Sequence, residues 1–384
     1  ATAALAGLLG IGVGATLLGT APESPEPPRR LEVAVADKEF FTGVGSSVVL
    51  SPDGRHLVIA VGESTTELWV RPLDQLESTL LASGAGGDAP YHPFFSPDGE
   101  WIGYVTAQEL KKVPVGGGAP ITLTSVQRSR GASWGPNDTI VIAPSAAGGL
   151  SLVPAAGGEL RPLTTVEEGD GQVTHRWPQW LPGGNAVLFT SAADLGQFGQ
   201  ANLEVVEVAT GARKVVQRGA TYGRYVSSGH IVYIEGETLF AAPFDVEALE
   251  PTGSPVPVVE GVLSSAVEGG AQYGVSEKGT LAYLSGGIGA PIYPVVWVDR
   301  AGGTSHLWSE AGSYAHPRLS PDGKKLALSV IRDGNWDIWI YDLEREVATR
   351  LTFGEGYDGD QVWSPDGSEL LFTSDRGGVV TVYR

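Results

Sequence analysis

The sequence predicts an all-β protein, a β-propeller of four-stranded blades with eight blade signatures that repeat about every 45 residues. The first observation is the tetrapeptide Ser-Pro-Asp-Gly, which occurs four times between apolar runs, at 51–54, 96–99, 320–323 and 364–367. The second is a short apolar segment at a similar distance after each turn. The third is that no useful helical periodicity occurs after residue 30. Four short strands per repeat of this length are typical of a propeller blade.

The repeated tetrapeptide has the composition of a tight turn. Proline fixes φ for the second turn position, the aspartate can cap the turn, and glycine accepts the left-handed conformation that closes it. Apolar residues flank each copy, as in Trp101–Val105, so each copy predicts a β-hairpin. Degenerate copies at 134–138, 180–184, 226–229 and 275–279 fill the gaps between the clear ones. We therefore interpret the turn as architectural.

The N-terminal residues differ from the rest in composition. No charged residue occurs in 1–22, and an α-helix of that length would extend about 33 Å, enough to cross a bilayer. We expect a transmembrane helix over 1–22, truncated at its start, with a signal-peptide core as the competing interpretation. A Pro-rich linker follows at 23–30. Gly10 and Gly14 form a GxxxG pattern that could support a dimer through the membrane helix, although chance explains it better in a Gly-rich run.

Two divisions of the remaining chain fit the repeats. In the favoured one, a six-bladed propeller covers 31–290, and 291–384 supply the first blades of a second, truncated propeller. In the alternative, 31–384 form a single ring of seven or eight blades. The Gly/Pro-rich stretch 285–294 favours a boundary there. An unclosed two-blade remnant would expose a sheet edge, which favours the single ring.

Composition and motifs exclude several classes of function. The net charge of −19 argues against nucleic acid as a partner, and the absence of cysteine excludes thiolate metal sites. Gly131–Gly135 matches the GxSxG of serine hydrolases around Ser133, but no strand-to-helix elbow follows it. The acidic loops 167–170 and 357–360 do not match an EF-hand, and the histidines lack paired metal-ligand spacing. We therefore expect no catalytic residue, no cofactor and no metal site.

The candidate ligand site is one mouth of the central channel. The innermost strand of each blade lines that channel, so the residues four or five positions before each turn should meet around it. Arginines there could pair with a carboxylate or phosphate, and aromatic side chains could stack on a flat ligand or anchor a peptide. The alternative is that these side chains only satisfy one another. The candidates are Tyr91, His92, Arg130, Arg176, Trp177, Tyr222 and Gln272.

From about Arg30 to Arg384 the repeats resemble the TolB-like, PD40 type of WD40-like propeller, through segments such as "FFSPDGEWIGYVT" and "NWDIWIYDLEREVATRLTF". Together with "LKKVPVGGGAPITL", "HRWPQWLPGGNAVLFT" and "VVWVDRAGG", they resemble more specifically the C-terminal propeller region of bacterial membrane-bound serine/threonine protein kinases. In that family a cytoplasmic kinase domain precedes one membrane helix. The resemblance therefore implies a single-pass inner-membrane protein whose propeller lies on the periplasmic side.

The resemblance implies a non-catalytic sensor region that binds a protein, a peptide or a small anionic ligand. The kinase motifs themselves are absent, since the chain has no Gly-rich nucleotide loop, no VAIK lysine and no DFG. We expect no kinase activity from this chain. Two alternatives stay open: the propeller of a prolyl-oligopeptidase-like serine peptidase, and a TolB-like envelope scaffold.

Overall fold

The computed structural model describes residues 40–41, 45–62, 65–166, 171–285, 293–300, 303–332, 335–354, 356–377 and 380–384. Within them the regular structure is 31 strands in eight sheets, with three short 3₁₀ helices at Gly86–Asp88, Pro136–Asp138 and Pro182–Gly184. All strand pairs within the sheets are antiparallel, and the strands follow one another in chain order across each sheet except in sheet 5, where the last two strands pair with the same neighbour. This is the arrangement of successive propeller blades.

The first three sheets have four strands each. Sheet 1 contains β1 (Val48–Leu50), β2 (His56–Val61), β3 (Thr65–Pro72) and β4 (Thr79–Ala85). Sheet 2 contains β5 (Tyr91–Phe95), β6 (Trp101–Val105), β7 (Glu109–Pro114) and β8 (Ile121–Ser125). Sheet 3 contains β9 (Ala132–Trp134), β10 (Thr139–Ile142), β11 (Ser151–Pro154) and β12 (Arg161–Pro162).

The next three sheets differ in strand number. Sheet 4 contains β13 (Thr174–Trp180), β14 (Ala186–Ala192), β15 (Asn202–Glu207) and β16 (Arg213–Arg218). Sheet 5 contains β17 (Thr221–Val226), β18 (His230–Glu235), β19 (Thr238–Asp245), β20 (Glu250–Pro251) and β21 (Val256–Val259), with both β20 and β21 paired to β19. Sheet 6 contains β22 (Tyr273–Val275) and β23 (Leu281–Tyr283).

The last two sheets complete the described chain. Sheet 7 contains β24 (Tyr293–Val298), β25 (Thr304–Leu319), β26 (Lys325–Arg332), β27 (Asn335–Asp342) and β28 (Val347–Arg350). Sheet 8 contains β29 (Asp358–Trp363), β30 (Leu370–Ser374) and β31 (Thr381–Tyr383). The first part of β25 pairs with β24 and its second part with β26, so one long strand joins two hairpins.

The core lies between neighbouring sheets, which pack face to face. Leu110 of sheet 2 and Ile140 of sheet 3 belong to one fully buried cluster, and Leu188 of sheet 4 packs with Tyr233 of sheet 5 in another. A central strand is therefore covered on both faces, and β14 is buried along its whole length. This explains why the second strand of a repeat can be a nearly continuous apolar run, as in β2 and β10.

Sheet 6 also packs against sheet 1. The side-chain amide of Gln272, which is buried, accepts a hydrogen bond from the Ser47 N–H (2.7 Å) and donates one to the Gly45 carbonyl (2.7 Å). The backbone N–H of Glu277 donates to the Pro52 carbonyl (3.0 Å). The contacts of sheets 1 to 6 thus form a closed succession around one axis. The boundaries 31–290 and 291–384 stay a prediction, since residues on both sides of each lie outside the described ones.

Each Ser-Pro-Asp-Gly copy forms the same hydrogen-bonded turn between two antiparallel strands. In the second copy the Ser96 hydroxyl donates to Asp98 Oδ1 (2.5 Å) and accepts from the Trp101 N–H (2.9 Å). Asp98 Oδ1 also accepts from the Glu100 N–H (3.0 Å), and Gly99 has a left-handed φ of 75°. The equivalent Ser–Asp pairs are Ser51–Asp53, Ser320–Asp322 and Ser364–Asp366.

One part of the predicted fold class is wrong. The sequence predicted that an apolar helix precedes the propeller, but the described residues contain no α-helix, and none of their helical segments is long and apolar enough to cross a membrane. Residues 1–22 themselves lie outside the described residues. The prediction rested on missing charge and on length, and five glycines in that run each disfavour a helix by about 1 kcal/mol relative to alanine. The fold class is therefore all-β.

The turn aspartates should make stability depend on pH. The Ser96 hydroxyl, together with the Glu100 N–H, holds the pKa of Asp98 below its ordinary value of 3.8. A carboxyl with a lowered folded pKa stabilises the fold above about pH 4, and that contribution is lost as the pH falls through the folded pKa. We expect Asp98→Asn to lower the thermal midpoint at pH 7 and to have a smaller effect at pH 3.

Thermal unfolding followed by tryptophan fluorescence at both pH values measures this difference. Asp74→Asn, at an exposed aspartate outside the Ser-Pro-Asp-Gly turns and their degenerate copies, is the matched control. An effect of Asp98→Asn that is as large at pH 3 as at pH 7 would contradict the charge-based account of the turn.

Candidate functional site: the axial cavity

The innermost strands carry a bulge at the position that approaches the axis. In five of them the strand register shifts, and a non-glycine residue at the shift has a left-handed φ of 49° to 56°. Each of these residues lies four positions before the residue whose carbonyl accepts the hydrogen bond that closes the turn, as His92 lies before Ser96. L-residues rarely adopt this conformation, so the surrounding contacts must stabilise it. The five residues are His92, Trp177, Tyr222, His316 and Asp360.

Three of these residues form a buried aromatic layer across the channel of sheets 1 to 6. The Trp177 ring lies 5.4 Å from the His92 ring and 5.7 Å from the Tyr222 ring, and the Tyr222 ring lies 5.4 Å from that of Tyr273. All four side chains are buried. The Trp177 indole N–H donates to the Glu268 carbonyl (3.1 Å), which fixes the ring in its plane.

Glycines make room for the Trp177 ring. A methyl group placed on Gly131 would lie 2.9 Å from Cε3 of Trp177, and one on Gly45 would lie 3.0 Å from its Cζ3. Both glycines also have left-handed φ values, 103° and 70°. Any larger residue at either position would therefore displace the tryptophan or strain the backbone. Trp177 thus contacts the segments that lead into sheets 1, 2, 3, 5 and 6.

The two candidate arginines meet at one carboxylate. Arg130 Nε donates to Glu268 Oε2 (2.8 Å), and Arg176 Nη1 donates to the same oxygen (3.0 Å). The Arg176 side chain is 1% exposed, and its other N–H groups donate to Thr174 Oγ1 and to backbone carbonyls, including that of Ala146. Burial lowers the pKa of Arg176 to about 10, so it stays charged at neutral pH. Both guanidinium groups are therefore engaged within the protein.

The remaining candidates lie close to these two groups. Tyr91 is buried beside them, its hydroxyl 3.5 Å from the Ser129 carbonyl, and burial raises its pKa to about 12. Gln272 holds sheet 6 against sheet 1. The structure thus brings His92, Trp177 and Tyr222 into one layer and joins Arg130 to Arg176 through Glu268. Their role in ligand binding stays a prediction.

A cavity of about 480 Å³ lies on the other side of the aromatic layer, between the turns of the six sheets. His92 and Tyr222 contribute to its wall, and exposed Pro97, Ser227 and Glu277 lie at its rim. Aromatic side chains and prolines from all six sheets line its walls. They include Phe94, Phe95, Trp134, Trp180, Tyr225 and Tyr273, with Pro52, Pro93, Pro97, Pro136, Pro178 and Pro182.

Sequence reasoning missed most of these wall residues. Trp134 and Trp180 stand immediately before or within degenerate turn copies, and the turns were interpreted as architecture alone. Arg224 is two residues beyond Tyr222, so counting back four or five positions from the turn passes over it. An aromatic residue before several turns is the signal that could have placed a site at this mouth.

The other motifs have structural surroundings. Ser133 lies in the cavity wall, where its hydroxyl oxygen accepts a hydrogen bond from the backbone N–H of Trp180 (3.2 Å). The predicted acidic loop 357–360 lies largely in β29, where both carboxylate oxygens of Asp358 accept a hydrogen bond from Nη2 of Arg376 (2.8 Å each). The loop 167–170 lies outside the described residues. Over the part of the chain that is described, no three acidic or histidine side chains are grouped as metal ligands would be.

The shared carboxylate should be important for stability. Glu268→Gln keeps the shape of the side chain but leaves buried Arg176 without a counter-charge. Removing one partner of a buried ion pair is strongly destabilising, and we expect the free energy of unfolding to fall by about 3 kcal/mol. Urea unfolding measures it, with Glu260→Gln at an exposed glutamate as the control. Equal stability of the two variants would contradict this assignment of Glu268.

Comparison with known proteins supports the propeller assignment. Residues 276–384 match the family model described as the TolB beta propeller domain, PD40. An uncharacterized protein of Agrobacterium fabrum is 35% identical over 113 residues, which are 29% of this chain and 38% of that protein. The Tol-Pal system protein TolB of Helicobacter pylori is 32% identical over 78 residues, which are 20% of this chain and 19% of TolB.

Among solved structures, oligogalacturonate lyase from Vibrio parahaemolyticus is similar with a TM-score of 0.43 and 14% identity, over 91% of each chain. The matched residues span 38% of the length of the Agrobacterium fabrum protein and 19% of the length of TolB. The kinase context implied by the sequence resemblance is not shown by these comparisons. The sequence matches show that the chain contains a TolB-like, PD40-type propeller region.

Proposed function

We propose that this chain is a non-catalytic binding module whose ligand occupies the axial cavity at the mouth formed by the turns. The observation that carries the proposal is the cavity of about 480 Å³, to which the innermost strands of sheets 1 to 6 all contribute. Pockets of this size with apolar walls and few polar groups are typical ligand sites. The buried layer around Trp177 closes the channel on one side, so a ligand would enter from the side where the rim is exposed.

Two biological contexts fit such a module. The sequence resemblance favours the ligand-sensing region of a receptor-type bacterial serine/threonine kinase, on the periplasmic side. The match to the TolB propeller domain fits equally a scaffold that binds other proteins. Both contexts require binding without catalysis, and the net charge of −19 favours protein, peptide or small-molecule partners over nucleic acid. A kinase domain encoded in the same open reading frame would favour the first context.

The absence of catalysis can be tested at Ser133, which lies in the cavity wall and in the GxSxG pattern. Its hydroxyl oxygen accepts a backbone hydrogen bond, and β9 is followed by a single 3₁₀ turn rather than a helix. We expect wild-type protein and Ser133→Ala to show the same background labelling by a fluorophosphonate probe. Labelling of wild type that disappears in Ser133→Ala would contradict the proposal and favour the peptidase alternative.

The cavity itself can be tested with peptides selected from a random phage-displayed library on the wild-type protein. Trp180 lines the cavity, and a rigid aromatic side chain in a pocket is a frequent binding anchor. We expect Trp180→Ala to weaken binding of the selected peptides at least tenfold. Trp297→Ala is the matched control, because Trp297 lies in β24, outside the cavity, and is 41% exposed.

Isothermal titration calorimetry measures the affinities, and thermal unfolding checks that both variants are folded. Selected peptides that bind Trp180→Ala and wild type equally would place the binding surface elsewhere on the protein and contradict the cavity proposal.

A further inference from the structure

Arg224 is the single lysine or arginine among the described residues that line the cavity. It belongs to β17 and is half-buried. No carboxylate pairs with it among the residues that the structure describes, although the chain has 44 acidic residues against 25 basic ones. Arg130 and Arg176, by contrast, share Glu268 on the other side of the aromatic layer. A cation held in a cavity wall without a counter-ion indicates a place for an anion.

The guanidinium group of Arg224 is fixed in position. It lies over the Tyr222 ring, 3.9 Å from the ring centroid, which is a cation–π contact. Its Nη1 donates to the carbonyl of Trp177 (3.0 Å) and to that of Gly223 (2.8 Å). These three contacts leave its Nε and Nη2 without hydrogen-bond partners among the described residues. Nε and Nη2 form one edge of the guanidinium plane, and that edge can bind both oxygens of a carboxylate.

The surroundings keep the local charge positive. Burial lowers the pKa of His92 to about 3, with the charge of Arg224 as a second cause, so His92 is neutral at physiological pH. Burial also favours the neutral form of Tyr273, because it raises the pKa of the hydroxyl. That hydroxyl donates hydrogen bonds to the Tyr222 and Val232 carbonyls. The one carboxylate among the described lining residues is Glu277, which is exposed at the rim. No group deep in the described wall therefore supplies a negative charge to Arg224.

The walls define the rest of the ligand. Trp134, Trp180 and Tyr225 contribute aromatic side chains to the wall, and prolines from the strands and turns line it as well. Gln179 is a second large polar side chain of the wall, and its amide group is hydrogen-bonded to the backbone of Tyr225. Its Nε2 donates to the Tyr225 carbonyl (3.2 Å), and its Oε1 accepts from the Tyr225 N–H (2.6 Å). An apolar or aromatic group is thus the complement of the wall, and an anion is the complement of Arg224.

We propose that the cavity binds a carboxylate carried on an apolar, aromatic body, with the Nε–Nη2 edge of Arg224 as the carboxylate-binding group. This inference rests on the proposed function, because it names the chemistry of the ligand in the same cavity. Such a carboxylate can come from the free C-terminus of a peptide or from a small aromatic acid.

The experiment compares three probes by isothermal titration calorimetry on the full chain. They are acetyl-Ala-Pro-Phe with a free carboxylate, the same tripeptide as its C-terminal amide, and N-acetyl-phenylalanine. We expect the free acid to bind wild type at least tenfold more tightly than the amide. Arg224→Gln should abolish that preference, and Arg224→Lys should restore only part of it because an ammonium group cannot bind bidentately. Arg218→Gln, at an exposed arginine of β16, is the control and should keep the preference.

The outcomes separate this inference from the proposed function. Equal binding of acid and amide, or a preference that survives in Arg224→Gln, overturns the role of Arg224. If Trp180→Ala still weakens binding of the library peptides in that case, the cavity remains the binding site, and only the proposal that it binds a carboxylate is wrong. Failure of all three probes to bind wild type also overturns the carboxylate proposal. Much tighter binding of the tripeptide acid than of N-acetyl-phenylalanine identifies a peptide C-terminus as the source, and equal affinity identifies a small aromatic acid.

Discussion

The Trp177 ring packs across the axis of the six surrounding sheets and closes their central channel at that level. The residue takes a left-handed backbone conformation at a strand bulge, and its ring contacts His92, Tyr222 and two glycines that have no side chain to obstruct it. A bulge of this kind re-aims one side chain without breaking the sheet. The ring therefore divides the channel into two sides of different chemistry.

The two sides differ in how their cations are satisfied. On one side, Glu268 accepts from both Arg130 and Arg176, and the hydrogen bonds of Arg176 are complete. On the other side, Arg224 Nη1 donates to the carbonyls of Trp177 and Gly223, and no carboxylate among the described residues pairs with Arg224. A paired and saturated arginine mainly stabilises the structure, whereas one with a free edge can exchange water for a ligand. The same residue type thus forms an internal ion pair on one side of the ring and has a proposed binding role on the other.

Much of the fold follows from the sequence because its signals are local. The turn tetrapeptides place hairpins correctly, and the count of four residues before a turn locates the bulged positions in sheets 2, 4 and 5. The site was harder to predict. Arg130 and Arg176 are candidates for binding an anion or for pairing within the protein, and the sequence does not indicate that Glu268, which is far away in the chain, reaches both. The apolar helix was predicted from the absence of charge and from the length of the run, and no helix of that kind belongs to the described residues.

The sequence by itself determined the all-β class, the repeat length and the turn chemistry, because each depends on residues within a few positions of one another. The tertiary structure decided which charged groups pair, where the aromatic layer closes the channel and where a cavity remains. Those properties depend on side chains from six sheets that converge on one axis, such as Arg224, Trp180 and Trp134, which are between 44 and 90 positions apart in the chain. Local sequence patterns contain no information about distances of that kind.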